Sequence, residues 1–386
     1  MIQGRIVLDA RILRGKPGGV ATYIQALVDH LPALLPNVPI VLLRHPNCDG
    51  QLSTAANVSE WSLGWPPNGL WTYFQMGRWL NSRVSSNDLF HAPQRIIPKH
   101  LKAKSVVTVH DLMHIVCPEL ALPNPVKRAM NAPYLSRAIR SSIERADRVI
   151  AVSQFTADEA IRIVPSAAER IRVVRHGKSQ WFKPIDKTDA ESLTTAIVPP
   201  RRRFFLVLGG GYPNKNHVAA VSAFARAFPT SDDIHLLVIQ RERTFPPELR
   251  RVLRRPNMQD RVQIQSSVDN EQLVALYNRA EALVFPSLYE GFGLPVLEAM
   301  ACGCPVICSN VTSLPEVSGN AALIVGPNDE EAIAEAMSRI VRDQNLKRAL
   351  IERGIQQAAH FDWKKTARET AFAYREIAEW IHVPIS

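Results

Sequence analysis

FPSLYEGFGLPVLEAMACGCP, residues 285–305, joins two carboxylates, a glycine loop and a helix start in one short segment. The strand-like ALVFPS leads in and PVICS leads out, with good helix formers between them, the repeating unit of a parallel α/β sheet. Pro295 suits a first helical turn, which puts Glu298 about one turn inside the helix and leaves Glu290 in the loop ahead of Gly291, Phe292 and Gly293. Glycines 291 and 293 let backbone approach a ligand closely, and the uncompensated amides near Leu294 face whatever anion arrives there. A diphosphate suits that position, with Glu298 behind it for paired hydroxyls such as a ribose and Glu290 in front for a sugar. On spacing alone the competing reading is a solvated acid and a helix-face acid beside an ordinary glycine turn.

The same alternation extends along the chain. RIVLDA, PIVLLR, SVVTVHD, RVIAVS, RIRVV, FFLVLGG, HLLVIQ, VQIQ and AALIV read as strands between helical patterns, predicting α/β architecture with parallel sheets. Residues 186–202, with Pro199-Pro200 and no clear periodicity, are expected to link a first domain at 1–185 to a second at 203–364. DWKKTARETAFAYREIAEWI predicts a closing amphipathic helix at about 365–386.

The chain has 386 residues, 46% of them hydrophobic, enough to bury two cores. No apolar run approaches the roughly 18 to 20 residues that span a bilayer, and the start lacks a signal-peptide layout, so a cytoplasmic location is expected. Five cysteines make an odd count for a disulfide framework, and Cys302, Cys304 and Cys308 read as small buried residues rather than a metal cluster.

Further phosphate-binding candidates stand at strand ends. FFLVLGGGYPNKN sets Gly210 and Gly211 ahead of Lys215, a cation placed to offset charge growing on a leaving diphosphate. Gly18 and Gly19, before the helical VATYIQALVDHL, form a second anion nest. His110 ends SVVTVH at the sheet edge where open α/β folds place ligands. Asp111 would orient it or cap the next turn, while His91 reads as structural. With no Asp-x-Asp in the chain, no metal or other cofactor is expected.

Together EGFGLPVLEAMACGCPVI, RIVLDAR with PGGVATYI, DLFHAP, VVTVHDL, ADRVIAVSQFT, IRVVRHG and SLPEV resemble the retaining glycosyltransferases of family 4, or group 1, over nearly the whole chain. That resemblance implies two Rossmann-like domains facing a cleft, the GT-B architecture, with the C-terminal helix crossing back to an N-terminal acceptor-binding domain. It assigns Glu290 and His110 to the transferred sugar, Glu298 to the ribose, and Lys215 with Gly18 and Gly19 to phosphates. Many relatives carry an arginine beside the lysine. Here it is absent, and Arg241 is a possible substitute. VTVHDL with SLPEV resembles bacterial surface-polysaccharide mannosyltransferases, implying GDP-mannose as donor, with dTDP-rhamnose and UDP-glucose behind it. A non-catalytic sugar-nucleotide-binding scaffold is the reading of another class.

Residues 1–185 hold 23 Lys plus Arg against 12 Asp plus Glu, a net +11, while the rest is near neutral. Much of this lies at Lys127, Arg128, Arg137, Arg140, Arg145 and Arg148, on a helix with Glu144 and Asp147. It reads either as a solvated face or as a surface for anionic lipid or a lipid-linked glycan acceptor at the inner face of the plasma membrane. No nucleic-acid module is visible. The aromatic run at Trp61, Trp65, Trp71, Phe74 and Trp79 reads as core packing, since Trp71, Phe74 and Leu80 share much of one helical face, or as an apolar surplus for touching lipid headgroups or walling an acceptor.

Overall fold

The computed structural model describes residues 4–14, 18–230, 233–240, 247–255 and 258–383. Two compact units result: Met1–Pro118, Asn124–Gly177 and Asp362–Ser386 form one, and Glu119–Pro123 with Lys178–Phe361 form the other.

In the first unit β1 (Ile6–Asp9), β2 (Ile40–Arg44), β3 (Val58–Ser62), β4 (Leu89–Ala92), β5 (Lys104–Val109), β6 (Arg148–Ala151) and β7 (Ile171–Val173) make a seven-stranded sheet. Its order is β3-β2-β1-β4-β5-β6-β7, parallel throughout, with Ile6 opposite Ile40 on one side and Leu89 on the other. β1 and β4 are buried along their whole length, because strands covered by helices on both faces must be apolar on both. The edge strand β3, VSEWS, is half-exposed and carries Glu60, and no apolar run marks it in the sequence.

The second unit contains β8 (Arg203–Gly209), β9 (Ile234–Gln240), β10 (Val262–Gln265), β11 (Leu283–Phe285), β12 (Val306–Ser309) and β13 (Leu323–Val325), in the order β10-β9-β8-β11-β12-β13. These six strands are also parallel. The order reverses between β1 and β4 in one sheet and between β8 and β11 in the other, and such switch points are where open α/β sheets place ligands. Cys302, Cys304 and Cys308 are buried free thiols, and burial pushes Cys304 and Cys308 up to about 12.

Three expectations need correction. Residues 186–202 are folded into the second unit. Asp186 caps the helix Lys187–Thr194, Arg279 donates to the Thr194 hydroxyl and to the carbonyls of Val198 and Pro199, and Gln263 reaches the Ile197 carbonyl. An eight-residue helix that buries only Ala190 and Thr194 has no periodicity to read. The C-terminal helix runs Trp363–Arg375 and stops short of 386, because the chain turns to lay Trp380 against Gly4 and bury Ile381. It belongs to the first unit, where the Tyr374 hydroxyl meets His91 Nδ1 at 2.6 Å and Glu376 pairs with Arg148 and Arg172.

The aromatic run is the third. Trp61, Trp65 and Trp79 pack on the core, but the helix breaks between Leu70–Phe74 and Met76–Asn81. No single face then joins Trp71, Phe74 and Leu80. Leu80 is buried, while Trp71 and Phe74 are exposed.

Candidate active site

β8 ends in the glycine turn that leads to Lys215. Gly211 takes φ +84°, and a Cβ there would meet the Gln240 side chain at 2.8 Å, so a glycine is required. A short 3-10 turn, Pro213–Lys215, follows, and Asn216 in the left-handed region opens the helix His217–Ala227. The neighbouring strand β11 leads into residues 286–293 and the helix Leu294–Ala301. Gly293, at φ +111°, caps that helix without a side-chain bond, and a Cβ would strike Leu314 at 2.6 Å.

The two loops are laced together. Leu288 N–H donates to the Asn214 carbonyl at 2.7 Å, and the Asn214 side-chain amide donates to the Tyr289 carbonyl at 3.0 Å. One residue further along each loop, Lys215 Nζ donates to Glu290 Oε1 at 2.5 Å. Lys215 Nζ also lies 5.1 Å from the centre of the Phe285 ring, whose face favours a cation. Residues after β12 hold the acidic loop from behind. The Ser313 hydroxyl donates to the carbonyls of Glu290 and Phe292, at 3.0 and 2.8 Å, and the Thr312 hydroxyl accepts from Glu290 N–H. Asn214, Thr312 and Ser313 are not among the residues the sequence singles out, although the polar SNVTS following a strand is a signal for Thr312 and Ser313.

Glu298 sits one turn into its helix, half-buried, and accepts from the Tyr277 hydroxyl at 3.3 Å. Burial raises its pKa from 4.5 to about 7, with the Tyr277 bond opposing. A raised carboxyl contributes full stability below its unfolded pKa and loses it as pH rises from there through about 7. Glu298→Gln should therefore match the parent near pH 4 and exceed it by about 1–3 kcal/mol at pH 8. Thermal melts at the two pH values check this; an offset that does not change with pH would remove burial as the cause.

In the first unit Gly18 caps the helix Gly19–Leu34 without a side-chain bond, and a Cβ there would meet no protein atom within 4 Å, so packing does not demand the glycine. His110 is buried, with Nε2 2.8 Å from the Pro93 carbonyl and Nδ1 3.2 Å from His176 Nε2. A carbonyl only accepts, so Nε2 carries the hydrogen and Nδ1 accepts from His176. Burial, ahead of other causes, pushes His110 down to about 4, which keeps it neutral. Both ring nitrogens are thus committed within the unit, and His110 is placed as a held, neutral ring. Asp111 caps the next turn through Met113 N–H and pairs with Arg95. His91 is structural, bonded to Thr108 and Tyr374. Arg241 lies outside the described residues.

Asp9 and Arg11 form a buried pair that no local pattern in the sequence marks. Asp9, ending β1, takes Arg11 Nε and NH2 at 2.7 and 2.6 Å, while Arg11 NH1 reaches the Trp65 carbonyl and the Thr72 hydroxyl at 2.8 and 3.1 Å. Among the described residues no group of three or more His, Cys, Asp or Glu is placed to hold a metal ion.

Two parallel-sheet Rossmann-like units are thus present, and the second gathers a glycine turn, a lysine and two carboxylates at its switch point. The family profile described as Glycosyl transferases group 1 matches residues 194–357, and that of Glycosyltransferase Family 4 matches 17–177. The O-antigen chain mannosyltransferase B of Escherichia coli is 31% identical over 288 residues, 74% of each chain. Among solved structures, the sucrose-phosphate synthase of Thermosynechococcus elongatus superposes with a TM-score of 0.74 at 23% identity, covering 97% of this chain and 99% of that one. The HepE protein of Anabaena, in complex with UDP and glucose, gives 0.74 at 17%, covering 97% and 100%. The chain belongs to the family 4, group 1 glycosyltransferases.

Proposed function

We propose that this glycosyltransferase transfers mannose from GDP-mannose, with retention at the anomeric carbon and without a metal, to a growing surface polysaccharide carried on a membrane lipid. The Lys215–Glu290 contact at 2.5 Å, beside the amide end of the helix Leu294–Ala301, carries the donor reading. An ammonium has three donors, so holding Glu290 leaves capacity for phosphate oxygens. In the step proposed, the bond between the anomeric carbon and the diphosphate oxygen breaks, and the acceptor oxygen bonds to the same face of that carbon. The acceptor proton passes to the departing phosphate. Lys215 and the helix amides offset the charge growing there, Glu290 stabilises the cationic carbon, and Glu298 accepts from the ribose hydroxyls. His110, Gly18 and Gly19 are proposed to serve the sugar and phosphates, His110 as a neutral ring. The likeness to the E. coli mannosyltransferase supports the sugar and the acceptor class, and the HepE complex supports a nucleotide donor. No described helix is long and apolar enough to cross a membrane. A lipid-borne acceptor is the ground on which we propose a peripheral enzyme at the cytoplasmic membrane face.

Saturation-transfer NMR against GDP-mannose, dTDP-rhamnose, UDP-glucose and GDP tests this. GDP-mannose should bind, and Glu298→Ala should abolish the signal. Binding of dTDP-rhamnose or UDP-glucose instead would replace mannose by that sugar, and a folded protein binding none would remove the donor site.

A further inference from the structure

Large apolar side chains gather on one face of the first unit. Leu70, Trp71 and Phe74, on the helix Leu70–Phe74, are 58%, 61% and 45% exposed, and Val126 and Met130, on the helix Pro125–Arg145, are 67% and 74% exposed. Val126, Met130 and Tyr134 recur every four residues and so form one stripe along their helix. Tyr134 joins that stripe to the aromatic turn: its ring lies 6.0 Å from Tyr73, which stands 4.9 Å from Phe74, and its hydroxyl donates to the Asn68 carbonyl. Singly exposed apolar residues are ordinary, whereas five on adjoining elements form a patch with a purpose.

The charge around the patch has one sign. Neither residues 63–82 nor residues 125–143 contain an Asp or Glu, yet they carry Arg78, Lys127, Arg128, Arg137 and Arg140. Lys99 adds its Nζ 5.2 and 5.1 Å from the Tyr73 and Phe74 ring centres. Arg140 and Arg145 are turned to backbone carbonyls, of Ile163 and of Ile97 and Pro98, but Lys127 and Arg137 are exposed. We propose that this face docks on an anionic lipid bilayer, with Trp71, Leu70, Phe74 and Met130 entering the headgroup zone and Lys99, Lys127 and Arg137 meeting lipid phosphates. Tryptophan favours that zone, and each cation near an anionic leaflet strengthens binding roughly fivefold. A second copy of the same face would bring like charges together, which disfavours self-association.

The inference rests on the reading that the acceptor is carried on a membrane lipid, and binding to vesicles without any substrate tests it apart from transfer. The full chain is sedimented with vesicles of phosphatidylcholine, alone or mixed with phosphatidylglycerol. Wild type should pellet with the mixed vesicles and not with the neutral ones. Trp71→Ser combined with Met130→Ser, and separately Lys127→Glu, should weaken partitioning, roughly tenfold or more for the double variant. Melting should stay unchanged, since these side chains are exposed. Wild type left in the supernatant, a double variant that pellets like wild type, or gel filtration in which the double variant turns a dimer into a monomer would each overturn the proposal. Transfer to a water-soluble glycan is read on the same samples. Transfer without vesicle binding overturns the docking face alone, and vesicle binding without transfer overturns the proposed function alone.

Discussion

Lys215→Met is expected to lower kcat about 10²–10³-fold while leaving donor affinity within about tenfold, because its charge is needed most as the diphosphate departs. The geometry makes the lysine hard to replace. Its 3-10 turn is tied to the acidic loop at two backbone carbonyls, the Phe285 ring lies near its ammonium, and Glu290 accepts from it. The loss has a second source, since Glu290, with only 12% of its side chain exposed, keeps its charge without a partner. Lys215→Arg separates the two. It retains charge for Glu290 but changes a compact ammonium into a planar fork, so recovery of melting without recovery of kcat is the expected pattern. Steady-state kinetics with the donor varied is the measurement, and a kcat within tenfold of the parent would mean that Lys215 does not stabilise the leaving group.

The largest effect on stability is expected at Asp9→Asn, which should destabilise the first unit by about 3–5 kcal/mol. Arg11 is fully buried and spreads its donors over the Asp9 carboxylate, the Trp65 carbonyl, the Thr72 hydroxyl and the Met76 sulfur. Removing the carboxylate charge leaves a guanidinium in a site that water does not reach. The Asp9→Asn/Arg11→Leu double variant should recover part of the loss, since an apolar side chain in place of a buried ion costs less than an ion left alone. Urea unfolding of the three proteins gives the comparison; a single variant within about 1 kcal/mol of the parent would show that the pair is not what pins residues 65–76 to β1.

The sequence alone determined the two parallel α/β sheets, because strands covered on both faces must be apolar on both, and that pattern is legible in β1, β5, β8 and β11. The residues of the donor loop were legible for the same kind of local reason. Gly211 and Gly293 mark backbone at positive φ, Pro295 marks the helix start, and Glu290 and Glu298 take their places from it. Only the tertiary structure decided which groups meet. Lys215 and Glu290 are 75 residues apart and touch because β8 and β11 are neighbours in the sheet. Tyr374 reaches His91 across 283 residues because the C-terminal helix packs on the first unit. Periodicity misled where a helix breaks, after Phe74, and was silent for the eight-residue helix Lys187–Thr194 and the edge strand Val58–Ser62. Hydrophobic pattern records which residues leave water, whereas partner, register and exposed face are set by contacts between segments distant in the chain, which no local pattern encodes.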